Sequence, residues 1–282
     1  MDPLVVLLVL LAAASHATWN AFVKAGEDQL VSLCLVIFTL SVPALFALPF
    51  LPLPAPEAWP YLIVSGIVHY LYYAVLVAAY RHGDLSLAYP IARGSAPILV
   101  AFGALILAGE ELSTWKWVGV VTVSAGIMSL AKPVRGQAGD GELKAIVFAV
   151  LTGLTIAVYS LADGLGVRRA GHELAYIAWL FVFSGLPMPA IIRWRRGGES
   201  ARLIRAHLKI GALGGLISGF AYGVVIWSMS LAPIAMVVSL RETSVLMAAA
   251  IGSLFLKEPF GRRRIAAAAV IVAGAALMNL AG

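Results

Sequence analysis

The sequence predicts an all-α, polytopic membrane protein of ten transmembrane helices, arranged as two inverted five-helix repeats. The membrane assignment follows from composition: 61% of the 282 residues are hydrophobic and only 12% are charged, with a mean hydropathy of +0.95. Soluble domains are about 45–50% apolar and about one quarter charged, and much of any globule's surface must face water. A match between the two halves of the chain predicts the repeat. A soluble enzyme and a disordered chain are therefore excluded.

A helix that crosses a membrane needs about 20 mostly apolar residues. Segments of this kind follow one another along the chain, and glycine, proline or charged residues separate them. The remaining connections are too short to fold as an extramembrane domain. In chain order, spans 1 to 10 are predicted at residues 3–23, 30–50, 58–80, 85–108, 113–131, 144–166, 173–192, 209–231, 234–256 and 262–280.

The start of the chain has some features of a signal peptide. Its first residues contain Asp2 and no Lys or Arg, and the apolar run continues to Val23, so we interpret it as a retained helix. Glycine, proline or charged residues mark the later boundaries. Gly26-Glu27-Asp28 precede span 2, three prolines from Pro52 to Pro56 precede span 3, Arg81 to Asp84 precede span 4, and Gly109-Glu110-Glu111 precede span 5.

A glycine-rich polar stretch near the middle of the chain separates five spans from five. We predict a first repeat over residues 1–132, a linker over 133–143 and a second repeat over 144–282. A shift of 148 residues places Arg93 on Arg241, Glu110 on Glu258, and the pair Ala125-Gly126 on Ala273-Gly274. Because each half has an odd number of spans, the second half enters the membrane from the opposite face, as in transporters that use alternating access.

The same region carries a resemblance to a known family. Residues 79–126 combine small side chains, Pro97, Glu110 at the helix end, a Trp-x-Gly at 117–119 and an Ala-Gly pair. This resembles the repeat unit of the EamA-type transporters in the drug/metabolite transporter superfamily, and Trp19-Asn20 and Tyr159-Ser160 fit it as well. The run from Gly219 to Tyr222 is similar to the bacterial amino-acid exporters called YddG. One departure is that Val245 stands where the repeat predicts a proline, beside Glu242-Thr243.

The resemblance implies a secondary transporter in the cell inner (plasma) membrane, without a cofactor. Its expected substrates are amino acids of broad range, neutral and aromatic ones included. Efflux or uptake of other metabolites or drugs by the same fold, a membrane-embedded enzyme and a non-transporting sensor are the alternatives. We expect a monomer that binds a small solute and lipid. We expect no nucleic-acid binding, because the Lys and Arg residues behind the +6 net charge lie in the loops between spans, where they orient the protein in the bilayer. The sequence contains neither a P-loop nor a metal-ligand motif, so we expect no ATP hydrolysis and no metal site.

Two arginines within apolar spans are the strongest candidates for a binding site. Arg93 and Arg241 each lie eight residues into their span, about 12 Å along a helix, and an Arg near the bilayer centre costs about 3 kcal/mol on insertion scales. Each must therefore face protein or water, where a guanidinium can bind a carboxylate with two hydrogen bonds. The structural alternative is that Arg241 pairs locally with Glu242 and that Arg93 caps backbone carbonyls.

Amides, aromatic rings and one imidazole complete the predicted cavity wall, although an interfacial belt or ordinary packing explains any single ring equally well. Asp163 is expected at a solvated helix end near Arg168-Arg169, with a proton carrier or half of a gate as alternatives. Glu110 is expected at the membrane interface. The predicted substrate-binding residues are Trp19, Asn20, His69, Tyr73, Tyr89, Arg93, Tyr159, Tyr222, Arg241 and Glu242.

The charge of the loops and the family resemblance predict opposite orientations of the protein in the membrane. The loops on one side of the predicted bundle hold most of the Lys and Arg residues, whereas the other side holds only Lys116, Arg168 and Arg169. The positive-inside rule places the richer side in the cytoplasm and both termini outside, whereas the family implies cytoplasmic termini. Following the charge count, we expect an impermeant thiol reagent to label Gly282→Cys in intact cells, but not Gly136→Cys, once Cys34 is replaced. The opposite pattern would favour the family orientation.

Overall fold

The computed structural model describes residues 1–82, 85–132, 140–248, 250 and 261–280, and these residues form helices joined by short turns. Short 3₁₀ turns flank the loop between the second and third helices, and another follows the eighth. The α-helices are α1 Pro3–Ala25, α2 Gln29–Ala47, α3 Trp59–His82, α4 Leu85–Ala108, α5 Thr114–Met128, α6 Asp140–Arg169, α7 Glu173–Gly185, α8 Met188–Arg196, α9 Ser200–Leu231, α10 Ile234–Arg241 and α11 Arg262–Leu280.

The all-helical membrane class is confirmed for the described part of the chain, whereas the count of ten spans stays a prediction. Residues 133–139 of the predicted linker, the end of span 9 and Glu258 lie outside the described residues. Among the described residues, six stretches are long and apolar enough to cross a bilayer by length and composition. They are Pro3–Val23, Gln29–Phe50, Pro56–Ala79, Ser86–Ala108, Gly141–Arg169 and Glu173–Leu231.

Span 7 is not one continuous helix, so the prediction over residues 173–192 is wrong at this point. α7 ends at Gly185 and α8 begins at Met188, after a turn at Leu186-Pro187. Pro187 has no backbone N–H and its ring crowds the preceding turn, which interrupts the helix. The three arginines of α8 thereby lie on a separate short helix close to the start of α9.

Three glycines on one face of α9, Gly211, Gly215 and Gly219, bring this helix close to α2. A Cβ atom added at Gly215 would lie 2.8 Å from the Val36 carbonyl oxygen, and one added at Gly219 would lie 3.4 Å from the Leu40 Cβ. α9 also packs against α1, so this one long helix joins the N-terminal helices to the centre of the bundle.

α10 is the central helix of the bundle. Every residue from Ile234 to Arg241 is buried, and the helix contacts α1, α4, α5, α6, α9 and α11. Its regular hydrogen bonding ends at Glu242-Thr243, where the amides of Thr243 and Val245 bond carbonyls three residues back, at 3.1 Å each. A second helical stretch begins at Ser244. Span 9 is therefore interrupted next to its buried arginine, which is the kind of helix break that transporters use to form binding sites.

The contacts between the halves follow the 148-residue shift. α3 packs against α6, and the counterpart of α3 in the second half, α9, packs against α1. The α5–α11 contact shows the same relation residue by residue. Gly126 contacts Ile271, and the residues that the shift assigns to them, Gly274 and Val123, contact each other. This exchange of partners is what a two-fold relation between the halves produces.

The α5–α11 contact generates a stability prediction. A Cβ at Gly274 would lie 2.8 Å from the Val123 backbone nitrogen and 2.9 Å from the Gly119 carbonyl oxygen, and backbone atoms cannot move aside as side chains do. We expect Gly274→Val to destabilise the fold by about 1–3 kcal/mol or more, as overpacking does, with a lower melting temperature in detergent. Gly66→Ala is the matched control, since no atom lies within 4 Å of a Cβ there. Equal melting temperatures for the two variants would contradict the close contact.

Candidate functional site

Two buried arginines share one buried glutamate at the centre of the bundle. Arg93 on α4 donates through Nη1 to the Glu242 carboxylate, 3.1 Å from Oε1 and 3.4 Å from Oε2. The Arg241 Nη2 lies 3.3 Å from the same Oε1. Arg93 is 5% exposed, Arg241 4% and Glu242 0%. The local pairing that sequence reasoning weighed for Arg241 is therefore present, and Arg93 joins it from the other half of the chain.

Arg93 has two further partners, one on α1 and one on its own helix. Its Nη2 lies 2.9 Å from the Nε2 of His16, and its guanidinium lies 5.4 Å from the centre of the Tyr89 ring. Because an arginine only donates, the His16 Nε2 must be the unprotonated nitrogen, so His16 is neutral in this arrangement with its proton on Nδ1. The Tyr89 ring supplies a cation–π contact, one turn before Arg93.

The group formed by Arg93, Arg241 and Glu242 has an unbalanced charge. Two guanidinium groups and one carboxylate give one excess positive charge in a region shielded from water. Arg241 is also under-satisfied, because its Nε is buried and has no hydrogen-bond partner among the described residues. An anionic group that enters this region therefore meets both a charge to neutralise and a free donor.

A second buried acid lies on α6, close to this group. Asp163 is 0% exposed, and Tyr176 on α7 donates to its Oδ1 at 3.2 Å. Tyr222 on α9 donates to Oδ2. The expectation of a solvated helix end for Asp163 is wrong, because α6 continues to Arg169 and places Asp163 about 9 Å before its end.

Aromatic rings surround Tyr222 and connect it to α3 and α6. His69 stacks on Tyr159 with ring centres 4.2 Å apart, and the Tyr222 ring lies 5.7 Å from His69 and 6.4 Å from Phe181. The His69 Nδ1 is 2.8 Å from the Ser65 carbonyl oxygen, so this nitrogen carries the donated proton. These rings and the charged side chains of Arg93, Arg241 and Glu242 therefore line one side of the candidate site.

A small cavity of about 10 Å³ lies where the two groups meet. His16 and Ala12 of α1, Tyr222 and its α9 neighbours Ala221 and Val225, and Arg241 line it. A volume of this size is about that of one solvent probe, enough for at most one water molecule. In this conformation the centre of the bundle is closed to any organic solute.

At one end of the bundle an ion pair joins several helices, and its carboxylate caps the central helix α10. Glu110, at the end of α4, accepts the Ile234 amide with both carboxylate oxygens, at 3.0 and 2.9 Å, and pairs with Arg168 at 2.7 Å. Arg168 also donates to the carbonyls of Met229 and Ala232, at 2.8 Å each. A carboxylate at a helix N-terminus is favoured by the helix dipole. Glu110 therefore joins α4, α6, α9 and α10 at this end.

The other end carries a second pair. Asp28 caps α2 through the Val31 amide at 3.1 Å and binds Arg196 of α8 with two hydrogen bonds, at 2.6 and 3.0 Å. The hydrogen bond from Arg196 is the main reason that the pKa of Asp28 is lowered. His207 of α9 accepts the Asp28 amide at 3.2 Å. Residues 207 and 229 of α9 are about 33 Å apart along the helix, so the two ion pairs lie on opposite sides of a bilayer-sized slab.

The structure brings most of the predicted site residues together. Arg93, Tyr89, Arg241 and Glu242 form the charged group, and His69, Tyr159 and Tyr222 form the aromatic wall beside it. Trp19 reaches this region only through an edge contact with His16, with ring centres 5.2 Å apart.

Two predicted residues point elsewhere in this conformation. The Asn20 side-chain amide donates to the His16 carbonyl of its own helix at 2.8 Å, and Tyr73 packs on an apolar cluster of α2 and α8. The neighbouring Tyr72 faces Tyr159 instead, with ring centres 6.0 Å apart.

Sequence reasoning left His16 and Tyr176 out of the predicted site. The sequence does indicate His16, which forms a polar stripe on span 1 with Trp19 and Asn20, whereas no local signal separates Tyr176 from other tyrosines.

Comparisons with known proteins agree with this architecture. The model of the EamA-like transporter family matches the chain twice, at residues 3–131 and 143–280. A Sinorhizobium protein named "Uncharacterized transporter in cobO 3'region" is 28% identical over 133 residues, which are 43% of this chain and 92% of that protein. A solved crystal structure aligns over 99% of this chain and 96% of its own with a TM-score of 0.70, and its 17% identity shows the fold alone.

The shared carboxylate generates a stability prediction. Glu242→Gln would leave two guanidinium groups without a charged partner, and removing one member of a buried pair costs about 3–5 kcal/mol. We expect a clearly lower melting temperature for the purified variant, and partial recovery when Arg241→Gln is added. Glu199→Gln is the control, because that carboxylate is 69% exposed. A Glu242→Gln protein as stable as the control would mean that Glu242 does not hold the arginines.

Proposed function

Because the chain belongs to the EamA-like transporter family, we propose that it is a secondary transporter that exports amino acids of broad specificity by alternating access. The family and the transporter-named relative point to a multi-pass membrane protein that moves a small solute, rather than to an enzyme. The choice of amino acids is our own inference from the chemistry of the site. The observation that carries it is the sharing of Glu242 by Arg93 and Arg241.

An amino acid is a zwitterion, so its site must offer donors to the carboxylate and an acceptor to the ammonium group. The free Nε of Arg241 and the excess positive charge suit the carboxylate. Glu242 suits the ammonium group, because its carboxylate already lies between two cations and can exchange one of them for the substrate. Both groups are adjacent in sequence, at the interruption of span 9, where backbone carbonyls no longer follow the regular helical pattern.

The aromatic wall suits a substrate with a variable side chain. Tyr222, Tyr159 and His69 present rings and only a few fixed polar atoms, and such a surface binds apolar and aromatic side chains without a strict choice. Trp19 adds a buried indole N–H that has no hydrogen-bond partner among the described residues. We retain Asn20 and Tyr73 in the proposed site as groups that an opened cavity would reach.

The small volume of the central cavity supports the proposal of alternating access. About 10 Å³ cannot hold an amino acid, so the two repeats, which we place at 1–132 and 144–282, must separate to bind one. The Glu110–Arg168 and Asp28–Arg196 pairs close opposite ends and would break in turn. The side chains of both pairs are 10–35% exposed, so water can replace part of the attraction when a pair breaks.

The proposal is tested by flux measurements with purified protein in liposomes. We expect several neutral amino acids to cross without ATP and unlabelled amino acids to compete with a labelled one. Arg241→Gln is expected to reduce the flux by about 10–100-fold, as when a charge-assisted hydrogen bond of about 1.5–3 kcal/mol is removed. Arg202→Gln, an exposed arginine, is the control.

Flux of a sugar, a nucleotide, a monocarboxylate or a cationic drug, without amino-acid flux, would leave the transporter family standing and would refute the amino-acid assignment. Absence of any flux by stable protein would refute the proposal as a whole.

A further inference from the structure

Asp163 differs from Glu242, the other fully buried acid among the described residues, in the nature of its partners. Asp28, Glu110 and Glu242 each bind an arginine. The Asp163 carboxylate instead binds two phenolic hydroxyl groups, and within residues 1–82, 85–132, 140–248 and 261–280 no arginine or lysine forms a salt bridge with it. It is also fully buried, about 9 Å before the end of α6.

An ionised carboxylate in this position is costly. Insertion scales assign about 2.5–3.5 kcal/mol to an aspartate at the centre of a membrane helix, an upper bound at this depth, and the two hydroxyl groups that bind Asp163 carry no positive charge to balance its own. A proton on the carboxylate removes the charge. Acids of this kind within membrane helices are typical of proton pathways.

The hydrogen bonds around Asp163 accommodate both protonation states without a change of side-chain position. The Tyr176 hydroxyl oxygen lies 3.2 Å from Oδ1 and 3.4 Å from the Ala162 carbonyl oxygen, and its single proton can serve only one of these acceptors. When Asp163 is ionised, Tyr176 donates to Oδ1. When Oδ1 carries a proton, it can donate to the Tyr176 oxygen, whose own proton then turns to the Ala162 carbonyl.

The groups that face Asp163 from the surrounding helices leave it as the acid that can exchange a proton here. α3 presents His69 and Ser65, α7 presents Tyr176 and α9 presents Tyr222. α10 presents the apolar Ile234 beside Gly164, and α6 itself adds Tyr159. The His69 Nδ1–H is engaged by the Ser65 carbonyl, which can only accept.

Tyr222 connects Asp163 to the candidate substrate site. Its hydroxyl donates to Asp163, and its side chain lines the same small cavity as Arg241 and His16. With Asp163 ionised, the charges of Arg93, Arg241, Glu242 and Asp163 cancel. With Asp163 protonated, one positive charge is left beside the cavity, which favours a substrate carboxylate at Arg241.

We propose that Asp163 is a proton-binding site coupled through Tyr222 to carboxylate binding at Arg241, so that solute leaving the cell down its own gradient carries a proton out in the same direction. This inference rests on the proposed function. By reciprocity, a proton on Asp163 strengthens solute binding as much as bound solute strengthens proton binding.

The experiment uses purified full-length protein in liposomes that contain a pH-sensitive dye. A neutral amino acid that the wild-type protein exchanges is the probe, and its inward gradient is expected to acidify the lumen. Asp163→Asn keeps the shape of the side chain and one acceptor oxygen but cannot titrate. We expect it to retain exchange of labelled for unlabelled solute, to lose the acidification, and to lose an about tenfold pH dependence of exchange. Glu199→Gln, an exposed carboxylate, is the control.

The outcomes separate this inference from the proposed function. Absence of exchange in the wild-type protein refutes the proposed function and the coupling with it. Exchange without proton movement, proton movement opposite to the solute, or acidification that persists in Asp163→Asn overturns only the role of Asp163. If Asp163→Asn does not fold, infrared difference spectra of the wild-type protein decide the question: a protonated-carboxyl band that grows on solute binding supports the site, and its absence overturns it.

Discussion

The sharing of one carboxylate by two guanidinium groups determines much of the arrangement around it. Glu242 is fully buried, and such a charge is tolerated in a bilayer only beside compensating cations. Arg93 and Arg241 supply that charge from different halves of the chain, so the first half is bound to the second at the centre of the bundle. Arg93 also fixes the neutral form of His16 and lies against the Tyr89 ring. The same arrangement leaves one donor of Arg241 without a partner, and a structural ion pair thereby becomes a candidate binding site.

Part of this architecture could be predicted from the sequence because it depends on composition and on rare residues. The apolar content predicts a membrane protein. The match of Arg93 with Arg241 predicts two related halves and a charged region at the centre. The turn at Leu186-Pro187 and the break at Glu242-Thr243 were not predicted, because a hydropathy pattern does not register a short interruption inside an apolar segment. The burial of Asp163 was missed for a different reason: it depends on how far α6 extends and on tyrosines supplied by α7 and α9, which no pattern within span 6 reveals.

The two halves match in the arginines at the centre of the bundle but not in the acids there. The 148-residue shift places Glu242 on Gly94, a residue without a side chain, and a Cβ there would lie 3.0 Å from the Ser124 carbonyl oxygen of α5. The first half therefore uses close packing of α4 on α5 where the second half uses a charge. Asp163 corresponds to Ser15 in the same way, so both buried acids near the centre belong to the second half. A pair of related halves thus forms a site in which the two sides differ chemically.

The paired contacts between α5 and α11 have a consequence for how such a chain could arise. Gly126 meets Ile271 and Gly274 meets Val123, so each half presents the same surface to the other. A surface that fits its own counterpart is also the requirement for a symmetric homodimer, in which two identical copies bind through one patch. The Sinorhizobium relative is matched over 92% of its length by less than half of this chain, and so has the size of a single half. Fusion of two such copies would retain the interface while allowing each copy to mutate independently, so that an acid at residue 242 can coexist with a glycine at residue 94, a difference that two identical copies could not have.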